Sequence, residues 1–406
     1  MTDQPIMRGF PPPDAQQVTL ANWRQAPFSR WSFRKLRQIL PTEALPPAPH
    51  PRALPEAPRG LDHLRVGNGQ SLSEVLIATH TTAFLVLHRG AVAFEWYGQR
   101  MSGEQPHVIF SVTKSVTGAL TGIMAEKGLL DPEGPVSAVL PEVAGSTYAE
   151  ASIRHLLDMT VGSCFVEDYA NPTEEYLRYR EATGWNPSRQ SLPAGLPVDQ
   201  QSFLTEPLDM RRFLISMAPG GPPHGSAFHY VSPNSDLLGW VLERASGKSF
   251  AQLLAEEIWQ PMGATGEAYI AVDRLGAPRT AGGLTVTARD LARFGELMRR
   301  RGCLEGRQII PGRWVDDIRF AGDRAAWQAG EFAAFLPEGH YRSQWYKLGD
   351  PSGCFFGLGI HGQWLFIDPL AESVIVKFSA DPEASNEAND KVLLQVFAQI
   401  SAALTP

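Results

Sequence analysis

A serine hydroxyl and a lysine amine three residues apart can act together as nucleophile and base. On a helix the two positions share a face, so the amine lies beside the hydroxyl. Serine is a weak nucleophile until a neighbour takes its proton. Lysine can take it where apolar or cationic surroundings lower its pKa. The chain contains this spacing twice, as Ser32-Phe-Arg-Lys35 and Ser111-Val-Thr-Lys114. Spacing alone does not choose between them. Context favours the second. Ser32 sits in a basic segment with no apolar helix behind it, whereas Ser111 opens SVTKSVTGALTGIMAEKGLL. There Val112, Val116, Ala119, Leu120, Ile123 and Met124 recur at helical spacing, and Gly128 supplies a stop. A serine at such a helix start also has free backbone N–H groups beside it for a developing oxyanion.

Other elements have to hold this helix in place. Thr82 to Trp96 reads as a β-hairpin around His-Arg-Gly. Ile153 to Met159, Leu237 to Ala245 and Phe250 to Trp259 read as helices. Thr287-Ala-Arg-Asp290 is a capping box that opens a helix through Met298. Trp364 to Asp368 and Ser373 to Phe378 read as strands joined by a turn, and Val392 to Ala403 as a closing helix. Gly162 to Pro223 is loop-rich, a length that inside a compact domain usually serves function. Strands at both ends and helices between them predict an α/β body built from both termini with a helical insert. We divide the chain into an arm over 1–60, a body over 61–110 and 240–406, and a mostly helical domain over 111–239. The arm is proline-rich and basic, and its aromatics Trp23, Phe28, Trp31 and Phe33 predict that it packs on the body.

Hydrophobic residues make up 43% of the 406 and charged residues 19%, enough apolar content for a sizeable core. The net charge of −7 gives no electrostatic footprint for nucleic acid. No apolar run approaches the length of a membrane span or a secretory signal, so the expected location is the cytoplasm. Three widely spaced cysteines, Cys164, Cys303 and Cys354, suggest neither a disulfide framework nor a zinc site.

Longer blocks carry a resemblance. FSVTKSVTGALTGIMAEKGLLDPEGPVSAVLPE, SIRHLLDMTVG, HYVSPNSDLLGWVLERASGKSF and AGGLTVTARDLARFGELM resemble, in that order, the serine β-lactamase, esterase and D,D-peptidase superfamily of class C type. Several blocks in one order weigh more than any tetrapeptide. HGQWLFIDPLAESVIVKFS, Glu167-Asp-Tyr169, Gly184-Trp185 and RSQWY resemble its branch of 6-aminohexanoate-oligomer hydrolases. The resemblance implies an α+β fold, with a central antiparallel sheet flanked by helices and a mostly helical domain. It implies a serine hydrolase of esters or linear amides that needs no metal and no cofactor, with a homodimer as the family's suggestion. Ser111 would be the acylated nucleophile, Lys114 its proton carrier and Tyr230 a proton relay to the leaving group. The N–H groups of Ser111 and Ile360 would form the oxyanion hole. Tyr169, Arg180, Trp185, Ser232, Ala281, Trp345 and His361 would line the substrate site. The residues themselves leave plainer readings open, since Tyr169, Trp185 and Trp345 suit a core and His361 suits a packed strand.

The chain also departs from the superfamily's pattern. Ser232 stands where many members carry the asparagine of Tyr-x-Asn, and Gly357-Leu-Gly359 where they carry Lys-Thr-Gly. A β-lactam carboxylate loses its cationic partner there. Against the 6-aminohexanoate-oligomer branch, Arg180, with Glu181 next to it, stands where an acidic residue can hold a substrate ammonium, and Ala281 replaces an asparagine. A guanidinium at 180 predicts a neutral or anionic leaving end. The rival readings are a β-lactamase or D,D-peptidase, and a penicillin-binding-like module without turnover.

Overall fold

The computed structural model describes residues 6–66, 69–187 and 208–405. In chain order, Thr42–Ala44 is β1, Thr81–His88 is β2, Ala91–Tyr97 is β3 and His107–Val108 is β4. Val112–Glu126 is α1, Glu174–Ala182 is α2 and Ser232–Ser246 is α3. Tyr269–Ala271 (β5), Leu284–Val286 (β6) and Ala288–Arg299 (α4) follow. His340–Arg342, Trp345–Lys347, Phe355–Gly359, Gln363–Asp368 and Ser373–Ser379 are β7 to β11, and Glu387–Leu404 is α5.

Seven strands form one antiparallel sheet in the order β7-β8-β9-β10-β11-β2-β3. The hairpin β2-β3 thus joins a sheet completed some 240 residues later in the chain, as a body built from both termini requires. Every residue of β2 is buried, because both of its faces are covered. Ala83, Leu85 and Leu87 pack with α1 and α4, while Phe84 and Val86 pack with Phe397 and Leu393 of α5. That two-sided burial explains why the strand reads as one apolar run without alternation. A second, four-stranded sheet of order β1-β5-β6-β4 ties the arm to the body. The arm is packed: Trp23 and Phe33 are fully buried against Phe110. Ser32 is spent as a donor to the Trp23 carbonyl, leaving the first Ser-x-x-Lys a structural pair of positions.

The expected helices and strands are present, with their ends adjusted by local chemistry. The helix expected from Leu237 starts at Ser232, since Pro233 sits in its first turn, where a missing N–H costs nothing. It runs without a break across residues 239 and 240, so the division expected there falls inside a helix. The Phe250 helix turns into a π-helical segment over Ala255–Trp259. Part of the expected 162–223 loop, residues 188–207, lies outside the described residues. The rest contains α2, capped by Thr173, and Met210–Ser216, capped by Asp209. No helix of the described residues is long and apolar enough to cross a membrane.

Candidate active site

The site is built where α1 begins. Residues Val112 to Met124 of that helix are all buried, so its position is fixed on every side. Gly118 lets the chain at Ser343 approach: a β-carbon there would lie 2.1 Å from the Ser343 carbonyl oxygen. Just before the helix, Phe110 adopts φ 42°, a conformation that aromatic residues rarely take. Its ring is clamped by Trp23, Phe33 and Trp185. The packed arm therefore helps to hold the turn that presents Ser111.

Ser111 makes no cap bond with its side chain, which leaves its hydroxyl for other partners. Lys114 Nζ donates to Ser111 Oγ at 3.1 Å, Ser232 Oγ at 3.0 Å and the Ala281 carbonyl at 2.8 Å. Its three protons thus have three neutral acceptors. Ser232 passes the contact on, donating through Oγ to Glu167 Oε1 at 2.7 Å and through its N–H to Oε2 at 2.6 Å. Tyr169 donates to the same carboxylate at 2.6 Å. The Tyr230 phenol lies near enough to the Ser111 side chain to feel it, and its ring lies 4.8 Å from the Lys114 ammonium. The backbone N–H of Tyr230 is held by Glu331 at 2.9 Å.

Electrostatics follow from burial. Desolvation pulls Lys114 down to about 7, with Arg279 pushing the same way while Glu167 and Asp236 oppose it. Burial, and then the Glu167 charge, hold the Tyr230 phenol well above its ordinary value, so it stays protonated. The Ala281 carbonyl is set by a buried brace. Asp236 of α3 pairs with Arg279, accepts from Tyr179 and takes the Ala281 N–H at 2.8 Å.

The strand edge of β9 closes the site. A β-carbon at Gly359 would lie 2.7 Å from the Ile109 carbonyl oxygen and 3.1 Å from the Ser111 nitrogen. Only a glycine lets this strand lie so close, and it sets the backbone of Ile360 beside Ser111. Two spaces meet at Ser111. One is a cavity of about 680 Å³ bordered by Tyr230, Tyr169, Tyr346 and Ile360. The other is a slot of about 20 Å³ bordered by Arg180, Trp185, Ser232, Ala281 and Ile360.

The structure brings Ser111, Lys114, Tyr230, Ile360, Tyr169, Arg180, Trp185, Ser232 and Ala281 together. Two expected substrate contacts are corrected. Trp345 is fully buried and packs on Phe294 and Phe355 in the core. Side chains alternate along β8, so its neighbour Tyr346 borders the cavity instead. His361 borders neither space. It is buried on Phe33 and Phe110 with Nδ1 2.8 Å from the Asp381 carbonyl oxygen, and desolvation pulls it down to about 4. Arg180 lies in the slot, whereas Tyr230 borders only the cavity. Sequence reasoning missed Glu331, the Asp236–Arg279 brace and the full role of Glu167. Of these only Glu167 carried a signal, in Glu167-Asp-Tyr169.

The beta-lactamase family pattern matches residues 74–398. The chain belongs to the beta-lactamase family. It is 35% identical to the 6-aminohexanoate-dimer hydrolase of Paenarthrobacter ureafaciens over 375 residues, 92% of this chain and 91% of that one. A Bacillus anthracis protein described as a candidate 6-aminohexanoate-dimer hydrolase superposes with a TM-score of 0.85 at 28% identity, covering 97% and 98% of the two chains. A family VIII carboxylesterase shares the fold alone, with a TM-score of 0.57 at 16% identity over 80% and 96% of the chains. This member of the beta-lactamase family is a hydrolase, and its antiparallel sheet flanked by helices is the family's fold.

Proposed function

We propose that the protein cleaves carboxylic esters or linear amides of the 6-aminohexanoate-oligomer kind by two-step acyl transfer on Ser111. The observation that carries this reading is the buried Lys114 amine, bonded to the Ser111 hydroxyl and pulled down to about 7. A lysine half deprotonated near neutral pH is a base matched to its task. Neutral Lys114 takes the proton of Ser111 as Oγ attacks the carbonyl. The N–H groups of Ser111 and Ile360 hold the oxyanion, each such donor being worth roughly 3–4 kcal/mol. Tyr230, kept protonated, gives its proton to the departing alcohol or amine. Water then attacks the acyl-enzyme with the same groups running in reverse. Glu167 holds Ser232, and Ser232 holds Lys114, so the base keeps its aim without a carboxylate bonded directly to it.

The test is hydrolysis of p-nitrophenyl acetate, butyrate and octanoate by the wild type and Ser111→Ala side by side. Turnover by the wild type alone is expected, and turnover by both would sink the assignment. Nitrocefin should be a poor substrate, because β9 offers Gly357-Leu358-Gly359 and no lysine at the position of the family's cationic motif. We extend the proposal to a cytoplasmic homodimer, which cell fractionation and light scattering test.

A further inference from the structure

The two spaces that meet at Ser111 carry opposite charge. The walls of the large cavity bear the carboxyl groups of Glu167, Asp168, Glu331, Asp381, Glu383 and Asp390, against the single lysine Lys377. The slot is bordered by three guanidinium groups, Arg24, Arg180 and Arg279. Arg279 is matched by Asp236. Arg24 and Arg180 instead share one neutral acceptor, the Asn186 side-chain oxygen, at 2.5 and 3.0 Å. No carboxylate pairs with either of them among the described residues. Glu167 borders the slot too, but both of its oxygens are already engaged by Ser232 and Tyr169.

Three residues that border this slot carry a buried donor without an acceptor. Arg180 Nε, Trp185 Nε1 and Arg279 Nε are buried with no hydrogen-bond partner, and the Trp185 and Arg279 residues are only 4% and 8% exposed. Buried donors normally find a partner, and each one left without costs stability. Spare cationic charge beside orphaned donors is the chemistry of a carboxylate site, for which the planar guanidinium is suited. The free volume of about 20 Å³ admits a small end group and no bulky one.

The direction of the substrate follows from Tyr230. It borders the cavity and not the slot, so a leaving group that takes its proton departs into the acidic cavity. The acyl chain then points to the slot. We propose that the slot is an anion subsite and that the preferred substrates are half-esters or half-amides of linear dicarboxylic acids, with the free carboxylate on the acyl side. This rests on the assignment of Ser111 and Tyr230 above. Hydrolysis would consume one water and release a dicarboxylate with an alcohol or an amine, and a cationic amine product suits the acidic cavity.

The experiment compares kcat/KM for p-nitrophenyl half-esters of succinate, glutarate and adipate with the butyrate, valerate and hexanoate esters and with p-nitrophenyl 6-aminohexanoate. In the wild type, the half-ester of fitting length should exceed its neutral counterpart by about tenfold or more. Arg180→Gln should bring that ratio close to one, Arg180→Lys should keep part of it, and Arg180→Glu should turn the preference toward the 6-aminohexanoate ester. A merely structural role for Arg180 would lower all esters alike and leave the ratio standing. Equal rates on charged and neutral esters, both abolished by Ser111→Ala, would overturn the subsite and leave the hydrolase reading intact. If the wild type cleaves none of these esters, the esterase reading fails, and calorimetric titration decides the subsite separately. Glutarate or adipate binding that is lost in Arg180→Gln keeps it, and no tighter binding than hexanoate removes it.

Discussion

If neutral Lys114 is the base, turnover has to rise with pH through the value at which that amine loses its proton. Burial, the largest influence, pulls it down to about 7. With a pKa near 7, about a tenth of the lysine is neutral at pH 6 and about nine-tenths at pH 8. The kcat/KM for p-nitrophenyl butyrate should therefore climb roughly tenfold over that interval and level off above it. Tyr230 is held well above its ordinary value, so no falling limb should follow until strongly alkaline pH. The sign can be checked with one substitution. Glu167 raises the Lys114 value, so Glu167→Gln removes a charge that favours the ammonium form. The rising limb should then move to lower pH, even as the maximal rate falls because Ser232 loses a carboxylate partner. Stopped-flow rates over pH 5 to 9 in constant ionic strength read both effects. A profile flat from pH 6 to 8, or a limb that moves upward in Glu167→Gln, would refute Lys114 as the base.

Three further outcomes test other parts of the site. Gly359→Ala would drive a β-carbon to 2.7 Å from the Ile109 carbonyl oxygen and push β9 away from Ser111; kcat should fall about a hundredfold with the fold retained by circular dichroism, on the scale of one lost oxyanion donor. Asp236→Asn strips the buried Arg279 of its counter-charge and should cost about 3–5 kcal/mol in urea denaturation, along with the Lys114 alignment. Trp345→Ala should cost about 3–5 kcal/mol of stability as a core truncation, while KM for the butyrate ester stays near the wild-type value; a large rise in KM would return Trp345 to the substrate site.

Features that depend on local pattern were legible from the chain itself. The Ser111 helix, the Thr82 to Trp96 hairpin and the Thr287 cap are set by neighbours a few residues away, and all three are present. The pairing of β2 with β11 was not legible from pattern, since it joins residues nearly 300 apart and nothing in either segment encodes the partner. The Asp236–Arg279 brace and Glu331 were silent for the same reason. An isolated acidic residue carries no mark of the cation or amide it will meet. Trp345 and Tyr346 show the sharpest limit. The motif RSQWY located the right strand, but the direction of each side chain depends on which face of β8 meets the core. A shift of one residue exchanges core and cavity. Arg180 stood out in the chain as a change of charge, yet which space at Ser111 it borders could come only from the fold.

The proposed role of Lys114 as base fits its separation from the site's carboxylates. A lysine bonded directly to a carboxylate keeps its proton, because the ion pair favours the charged form. Here all three bonds of Nζ go to neutral oxygens, and the Glu167 carboxylate stands one hydroxyl further away, behind Ser232. Asparagine in place of Ser232 would also be neutral, but the serine hydroxyl is short enough to accept from Lys114 and donate to Glu167 at once. The arrangement fixes the amine geometrically while only partly restoring its charge, which is why burial still prevails. Arg279 contributes in the same direction, lowering the Lys114 value from behind the Ala281 carbonyl while its own charge is met by Asp236. The brace therefore does two jobs with one pair of residues. It places the third acceptor for Lys114, and its two charges act on the amine in opposite directions, Arg279 favouring the neutral form and Asp236 the charged one. Asp236 itself raises the Lys114 value, so Asp236→Asn should misplace the Ala281 carbonyl without favouring the ammonium form, and its loss of activity should come from the lost alignment and move no pH limb upward.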